Sequence, residues 1–224
     1  MASPRIFPAE DASASIQRTG LYALEDHAVG DRVTEFSRKG FPTKSPAGLE
    51  FVAQNSFDRE DIHHVLVKTL HEPQLQLGLI KIWSYALPSD YAFRLHNGAP
   101  GDPVCLLVHL FSPDSVVSFY EGSVSRETEV DPLVTKRWGV LATPKQCLDI
   151  DDFSVHITEL KEGGLILSDS RLLFSITRGF TITIGCPTKI EHETWGLMDL
   201  PASDEIKAKV EELKNRGIRM RCAW

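Results

Sequence analysis

The spacing of apolar residues changes near Leu75. In "SFDREDIHHVLVKTLHEP" (56–73), Ile62, Val65, Leu66 and Thr69 fall at i, i+3, i+4 and i+7. That spacing puts them on one face of a helix. Asp58 or Ser56 can cap it, acidic residues fill its first turn, and Pro73 stops it. From Leu75 onward the period is two. "LQLGLIKIWSYAL" (75–87) alternates and is rich in Ile, Leu, Trp and Tyr, which suits a pleated, half-buried surface. Further runs of this kind are 104–111, 115–122, 138–143, 153–160, 165–168, 172–176 and 180–185. Short strands with little helix between them predict an antiparallel sandwich or barrel.

The 3.6 period returns at the end. "PASDEIKAKVEELKNRG" (201–217) reads as a helix capped by Ser203, with Ile206, Val210 and Leu213 on one stripe and Gly217 as the stop. Near the start, a short helix over "AEDASASIQRTG" ends at Gly20, and "LYALED" (21–26) follows as a strand. Residues 30–50 hold glycines and prolines in a polar stretch and read as mostly loop. Late in the chain, Leu172–Ile176 and Phe180–Ile184 read as an antiparallel hairpin turning at a positive-φ Gly179. The expected organisation is one domain, with residues 1–50 an N-terminal extension packed on a barrel formed by 51–224.

Composition narrows the function classes. The chain has 224 residues, with 24 Lys plus Arg against 31 Asp plus Glu, for a net charge of −7. A nucleic-acid partner needs a concentrated basic face, and the densest basic cluster is "KNRGIRMR" (214–221), at the very end. The apolar runs fall far short of the ~20 residues that span a bilayer, and the first residues carry no signal-peptide pattern. A cytoplasmic location, no nucleic acid and no membrane are therefore expected. Cys105, Cys147, Cys186 and Cys222 are widely spaced without a C-x-x-C pair, so no disulfide framework is read.

The stretch "FYEGS" (119–123) and the later "LKEGGLILSDSRLLF" (160–174) carry a family resemblance. The order of helix, strand series and these two motifs resembles the double-stranded β-helix, or jelly roll, of cupins and of phytanoyl-CoA-type oxygenases, over roughly residues 75–187. The resemblance implies a mainly β barrel with peripheral helices. In such oxygenases two histidines and a carboxylate hold iron on one face, leaving open positions for cosubstrate and oxygen. Here no His-x-Asp occurs, and His96-Asn97-Gly98 has glycine where the carboxylate belongs. Phe174 stands about where the distal histidine would, and Arg178 about where an arginine would hold a cosubstrate carboxylate.

Two missing requirements lead to a metal-free reading with no cofactor. In it, a pocket inside the barrel is lined by Trp83, Tyr85 and Phe119. His109, His156 and Glu121 serve as acid–base groups, and Arg171 or Arg178 meets an anionic or carbonyl group at the mouth. The ligand is a small organic molecule, and the reaction an isomerisation, cyclisation or elimination. Two alternatives stay open. One is a cupin-like metalloenzyme with ligands drawn from His96, His109, His156 and a carboxylate. The other is a non-catalytic member that binds a ligand or protein. Sheet edges of jelly rolls also offer a route to a homodimer.

Overall fold

Residues 105–111 are buried at every position, which a strand achieves only when both its faces are covered. That requirement sets the layers. The computed structural model describes residues 3–83, 87–148 and 152–224. It begins with α1 (Ala9–Thr19), β1 (Leu21–Glu25), α2 (His27–Arg38), α3 (Pro46–Asn55) and α4 (Glu60–Leu70). Strands then dominate: β2 (Leu75–Leu77), β3 (Leu79–Trp83), β4 (Tyr91–Arg94), β5 (Cys105–Phe111) and β6 (Ser115–Glu121). Helix α5 (Pro132–Trp138) precedes β7 (Leu141–Pro144), β8 (Ser154–Leu160), β9 (Gly164–Asp169), β10 (Leu173–Arg178) and β11 (Thr181–Pro187). The chain closes with α6 (Lys189–Thr194), β12 (Met198–Asp199), α7 (Asp204–Asn215), β13 (Ile218–Met220) and β14 (Cys222–Ala223).

Two five-stranded antiparallel sheets face each other. One runs β1-β9-β5-β11-β3, the other β7-β4-β10-β6-β8. This is a double-stranded β-helix, mainly β with peripheral helices, as the alternating pattern predicts. Between the sheets lies a core of Trp83, Phe93, Phe111, Val117, Phe119, Ile166 and Phe174. The outer face of the first sheet is covered by helices. There Val33 and Phe36 of α2 and Val65 and Leu66 of α4 join one cluster with Val108, Leu110, Leu167 and Ile184. No helix among the described residues is long and apolar enough to cross a membrane.

The helices expected over 58–71 and 203–216 form as α4 and α7, and the start of the chain follows its pattern through α1 and β1. Gly20 ends α1 with φ 86°, and Leu21–Glu25 then pairs with β9 at the sheet's edge. Residues 30–50 correct the loop reading, for they contribute most of α2 and half of α3. Their glycines mislead because they serve close packing. A Cβ at Gly30 would stand 2.0 Å from the Glu162 carbonyl, and one at Gly48 would stand 1.9 Å from that of Pro42. Pro46 sits in the first turn of α3, where its missing N–H costs nothing.

The hairpin is a second correction. β10 and β11 lie in different sheets. Gly179 does take φ 81°, but the turn it makes carries the chain from one wall of the roll to the other. Alternation describes both strands equally well in one sheet or two, so the pattern held no information about which. Residues 138–143 are a third correction. Trp138 ends a helix, and the strand begins only at Leu141.

Candidate functional site at the mouth of the roll

Strand β4 ends at Arg94, whose guanidinium is fully buried. It donates to the carbonyls of Ser123 (3.0 Å), Arg126 (3.1 Å) and Arg171 (3.4 Å) and to the Thr128 hydroxyl (2.6 Å). This clamp fixes the loops around the end of β4. Two residues on, His96 is held by the next crossing of the chain. Backbone N–H groups of Leu95 and His96 both donate to the Ser170 carbonyl, at 2.9 and 3.1 Å.

The His96 ring is engaged at both nitrogens. Nδ1 lies 2.8 Å from the Ser170 hydroxyl and Nε2 lies 3.0 Å from Glu191 Oε1. A carboxylate only accepts, so in the neutral ring Nε2 carries the proton and Nδ1 accepts from Ser170. Glu191 comes from α6, directly after β11. Burial opposes its ionisation. Hydrogen bonds from Trp195 (2.7 Å) and His96, with the charge of His96, outweigh that and hold its carboxyl below the usual range. Ser170 is fully buried, so its hydroxyl orients the imidazole and is closed off as a nucleophile.

His96 and Trp195 open onto a cavity of about 450 Å³. Its walls are mostly apolar: Leu79 and Ile80 from β3, Leu95, and Met198 and Leu200 from the segment after α6. Lys44 stands on the lining too, ion-paired to Asp199 at 2.8 Å. The two rings lie 5.9 Å apart and tilted by 32°. Trp195 can lie this close only because Gly78 has no side chain, since a Cβ there would meet the indole at 2.6 Å. An apolar cleft with a few placed polar groups is the usual form of a small-molecule site.

None of the residues singled out from the sequence for the metal-free pocket lines this cavity; Trp83, His109 and Phe119 meet around Phe174 in the closed core, and Glu121 lies beside His156 on the second sheet. Trp83 and Phe119 are buried core, with Trp83 edge-on to Phe174 at 5.4 Å. Tyr85 lies outside the described residues. His109 does face the interior, against Phe174 at 5.3 Å. Its nitrogens are taken by Thr183 (2.7 Å) and Ser168 (3.1 Å), and burial pushes its pKa down to about 3. His156 is on the other sheet, on edge strand β8, half-exposed and 3.9 Å from Glu121. Arg171 is buried and fully occupied. It forms a two-point pair with Asp169 (3.0 and 2.7 Å) and donates to the carbonyls of Ala99 and Gly101. Arg178 is exposed at the far end of β10, where it donates to the Asp114 carbonyl. Six residues of strand separate the two arginines by about 20 Å, so they cannot share a mouth.

The iron set implied by the family resemblance was tested against these positions, and it does not fit. A Cβ at Gly98 would stand 2.0 Å from the Arg126 carbonyl and 2.4 Å from that of Ser123, so no carboxylate can take that place. Phe174 is packed among aromatic rings. Among the described residues, no group of three or more His, Cys, Asp or Glu side chains is placed to hold a metal ion.

Glu191, Trp195 and Ser170 were not singled out from the sequence, and His96 was weighed only as a metal ligand. Ser170 sits in the polar break of the motif that drew attention to Phe174. Glu191 carries no local signal, because its partner is 95 residues away.

Several solved structures share this architecture. Apo ThoJ, a non-heme monooxygenase, matches with a TM-score of 0.57 at 12% identity, covering 92% of this chain and 94% of that one. HygX from Streptomyces hygroscopicus, solved with nickel, 2-oxoglutarate and hygromycin B, matches at 0.54 and 12%, covering 90% and 94%. SnoN, a non-heme α-ketoglutarate-dependent epimerase from nogalamycin biosynthesis, matches at 0.51 and 11%, covering 80% and 83%. No family model and no curated protein matches the chain. What these likenesses establish is the fold, a cupin-like double-stranded β-helix.

Proposed function

We propose that this chain acts on a small, largely apolar organic molecule without a metal ion, by acid–base chemistry of the isomerisation or elimination type, in the cavity beside His96. One observation carries the reading. A histidine with a carboxylate on one nitrogen and a hydroxyl on the other stands on the wall of an apolar cavity. The hydroxyl suits both states of the ring. Ser170 donates to the neutral imidazole, and accepts from Nδ1–H once the ring is protonated. The Glu191 carboxylate then stabilises the imidazolium. His96 can therefore take up a proton and return it without leaving a polar group unpaired.

Non-heme oxygenase chemistry of the kind named for ThoJ is the competing reading. It would need two ligands where Gly98 and Phe174 stand. A non-catalytic binding role is the second reading. It is favoured by the fact that both ring nitrogens are satisfied within the protein.

Ligand-observed NMR with a library of small apolar carbonyl compounds tests these readings, on protein stripped with a chelator and on Gly196→Trp, which places an indole on the cavity lining. Binding that survives chelation and disappears in Gly196→Trp is the expected result. Binding that requires added metal would overturn the metal-free reading. Exchange of deuterium from solvent into the bound compound, lost in His96→Gln, separates enzyme from binder.

A further inference from the structure

The wall of the cavity after α6 has no regular structure of its own over Trp195–Leu197, yet it carries Trp195 and adjoins Glu191. Something must hold it. Six residues make a short helix; Trp195 N–H reaches back to the His192 carbonyl at 3.3 Å, and the carbonyls beyond it have no partner within the helix. In this chain they are met from the C-terminal end. Arg221 Nη1 donates to the carbonyls of His192 (2.6 Å), Glu193 (2.9 Å) and Trp195 (3.0 Å).

The sequence brings Arg221 there by a defined route. Gly217, at φ 86°, turns the chain out of α7. β13 then docks parallel on β2, Ile218 opposite Leu75. β14 pairs parallel with β12, Met198 opposite Cys222. Arg221 stands between those two pairings, and its own carbonyl accepts from Met198 N–H at 2.7 Å. It thus grips the site wall with its side chain and its backbone at once. A cation at the carbonyl end of a helix is also favoured by the helix dipole.

We propose that Arg221 is the positioning residue of the site. It fixes the turn after α6, and through that turn it sets Glu191 against His96 Nε2 and Trp195 against the cavity. The proposal rests on the reading of the His96 cavity as the functional site, but its test does not require a ligand.

The test uses full-length protein labelled with 15N-histidine and reads the ring nitrogens of His96. In the native chain they should show one tautomer, protonated at Nε2, because Glu191 can only accept. Arg221→Met keeps the aliphatic stem and removes the donors. It is expected to shift the His96 signals toward a mixture of tautomers while leaving those of His109 unchanged. All three bonds come from Nη1, so Arg221→Lys, which keeps a cation and a donor on a shorter stem, should move the signals back toward the native ones. His96 signals identical to the native ones in Arg221→Met would overturn the proposal. Should that variant fail to fold, Arg221→Gln is read in its place: native His96 signals there would overturn the proposal, and shifted ones would support it. A chain that shows the expected tautomer shift but takes no compound from the library would fail as an acid–base site while leaving the role of Arg221 standing.

Discussion

His109 and His96 both have two hydrogen-bonded ring nitrogens, and they behave as opposites. His109 is sealed between the sheets with only hydroxyls for partners. Nothing there stabilises a charge, so the ring stays neutral until strongly acidic pH. His96 is partly exposed, faces a carboxylate, and stands on a cavity. The comparison teaches that a polar residue inside a barrel is not by itself a site. Among the described residues the interior of this roll is packed with aromatic rings, and the cavity beside His96 lies at the edge strand β3 of its first sheet, next to the segment after α6.

The contrast between filled interior and open mouth can be broken most directly by deletion of volume. Phe174→Ala should cost about 3–5 kcal/mol, as for other large buried aromatics. Leu197→Ala, on an exposed wall residue, should stay within about 0.5 kcal/mol. Urea unfolding measures both, and comparable losses at the two positions would remove the distinction.

The second test is electrostatic. The His109 pKa is lowered in the folded state to about 3, while the unfolded chain has the ordinary value near 6.5. The unfolded state therefore binds more protons across that window. Stability contributed by the neutral ring is intact above pH 6.5 and lost as pH falls toward 3, with a slope approaching about 1.4 kcal/mol per pH unit. His109→Gln should show a correspondingly shallower acid limb. An unchanged slope would mean that the interior is wetter than its packing implies.

A smaller effect is expected where the walls of the roll join. A Cβ at Gly179 would meet Ser115 Oγ at 2.1 Å and its Cα at 2.8 Å, in a backbone region that β-branched residues avoid. Gly179→Val should cost roughly 1 kcal/mol or more. A modest change in stability is expected at the mouth itself. Glu191→Gln, in a part-buried pair that also accepts from Trp195, should alter unfolding by about 1–2 kcal/mol, the range of hydrogen bonds to charged groups, yet abolish the single His96 tautomer. The Glu191 carboxyl is held below its ordinary range, so its contribution is present above pH 4.5 and lost as pH falls below that. The glutamine variant should lack this dependence.

Much of the fold could be read from the chain. The change of period near Leu75 located the strands, and Ser203 and Gly217 bounded the last helix. What could not be read was whatever depends on distant partners. Gly30 and Gly48 looked like loop residues because the carbonyls that demand them belong to other segments. The strands on either side of Gly179 looked like a hairpin because sheet membership leaves no mark on alternation. The site failed for the same reason. His96 was visible, but Ser170 and Glu191 reach it from separate parts of the chain, and neither carries a local pattern that announces the meeting.

That same dependence has a consequence in time. Strand β1 has its place at the edge of the first sheet only beside β9, Leu21 opposite Ser168. During synthesis at about 5–20 residues per second, β1 must wait on the order of ten seconds or more for that neighbour to exist. Pairings between remote segments also place the roll among slow folders. For that interval the apolar faces of the N-terminal helices have no sheet to cover, and the nascent chain is at its most exposed to aggregation and to chaperones.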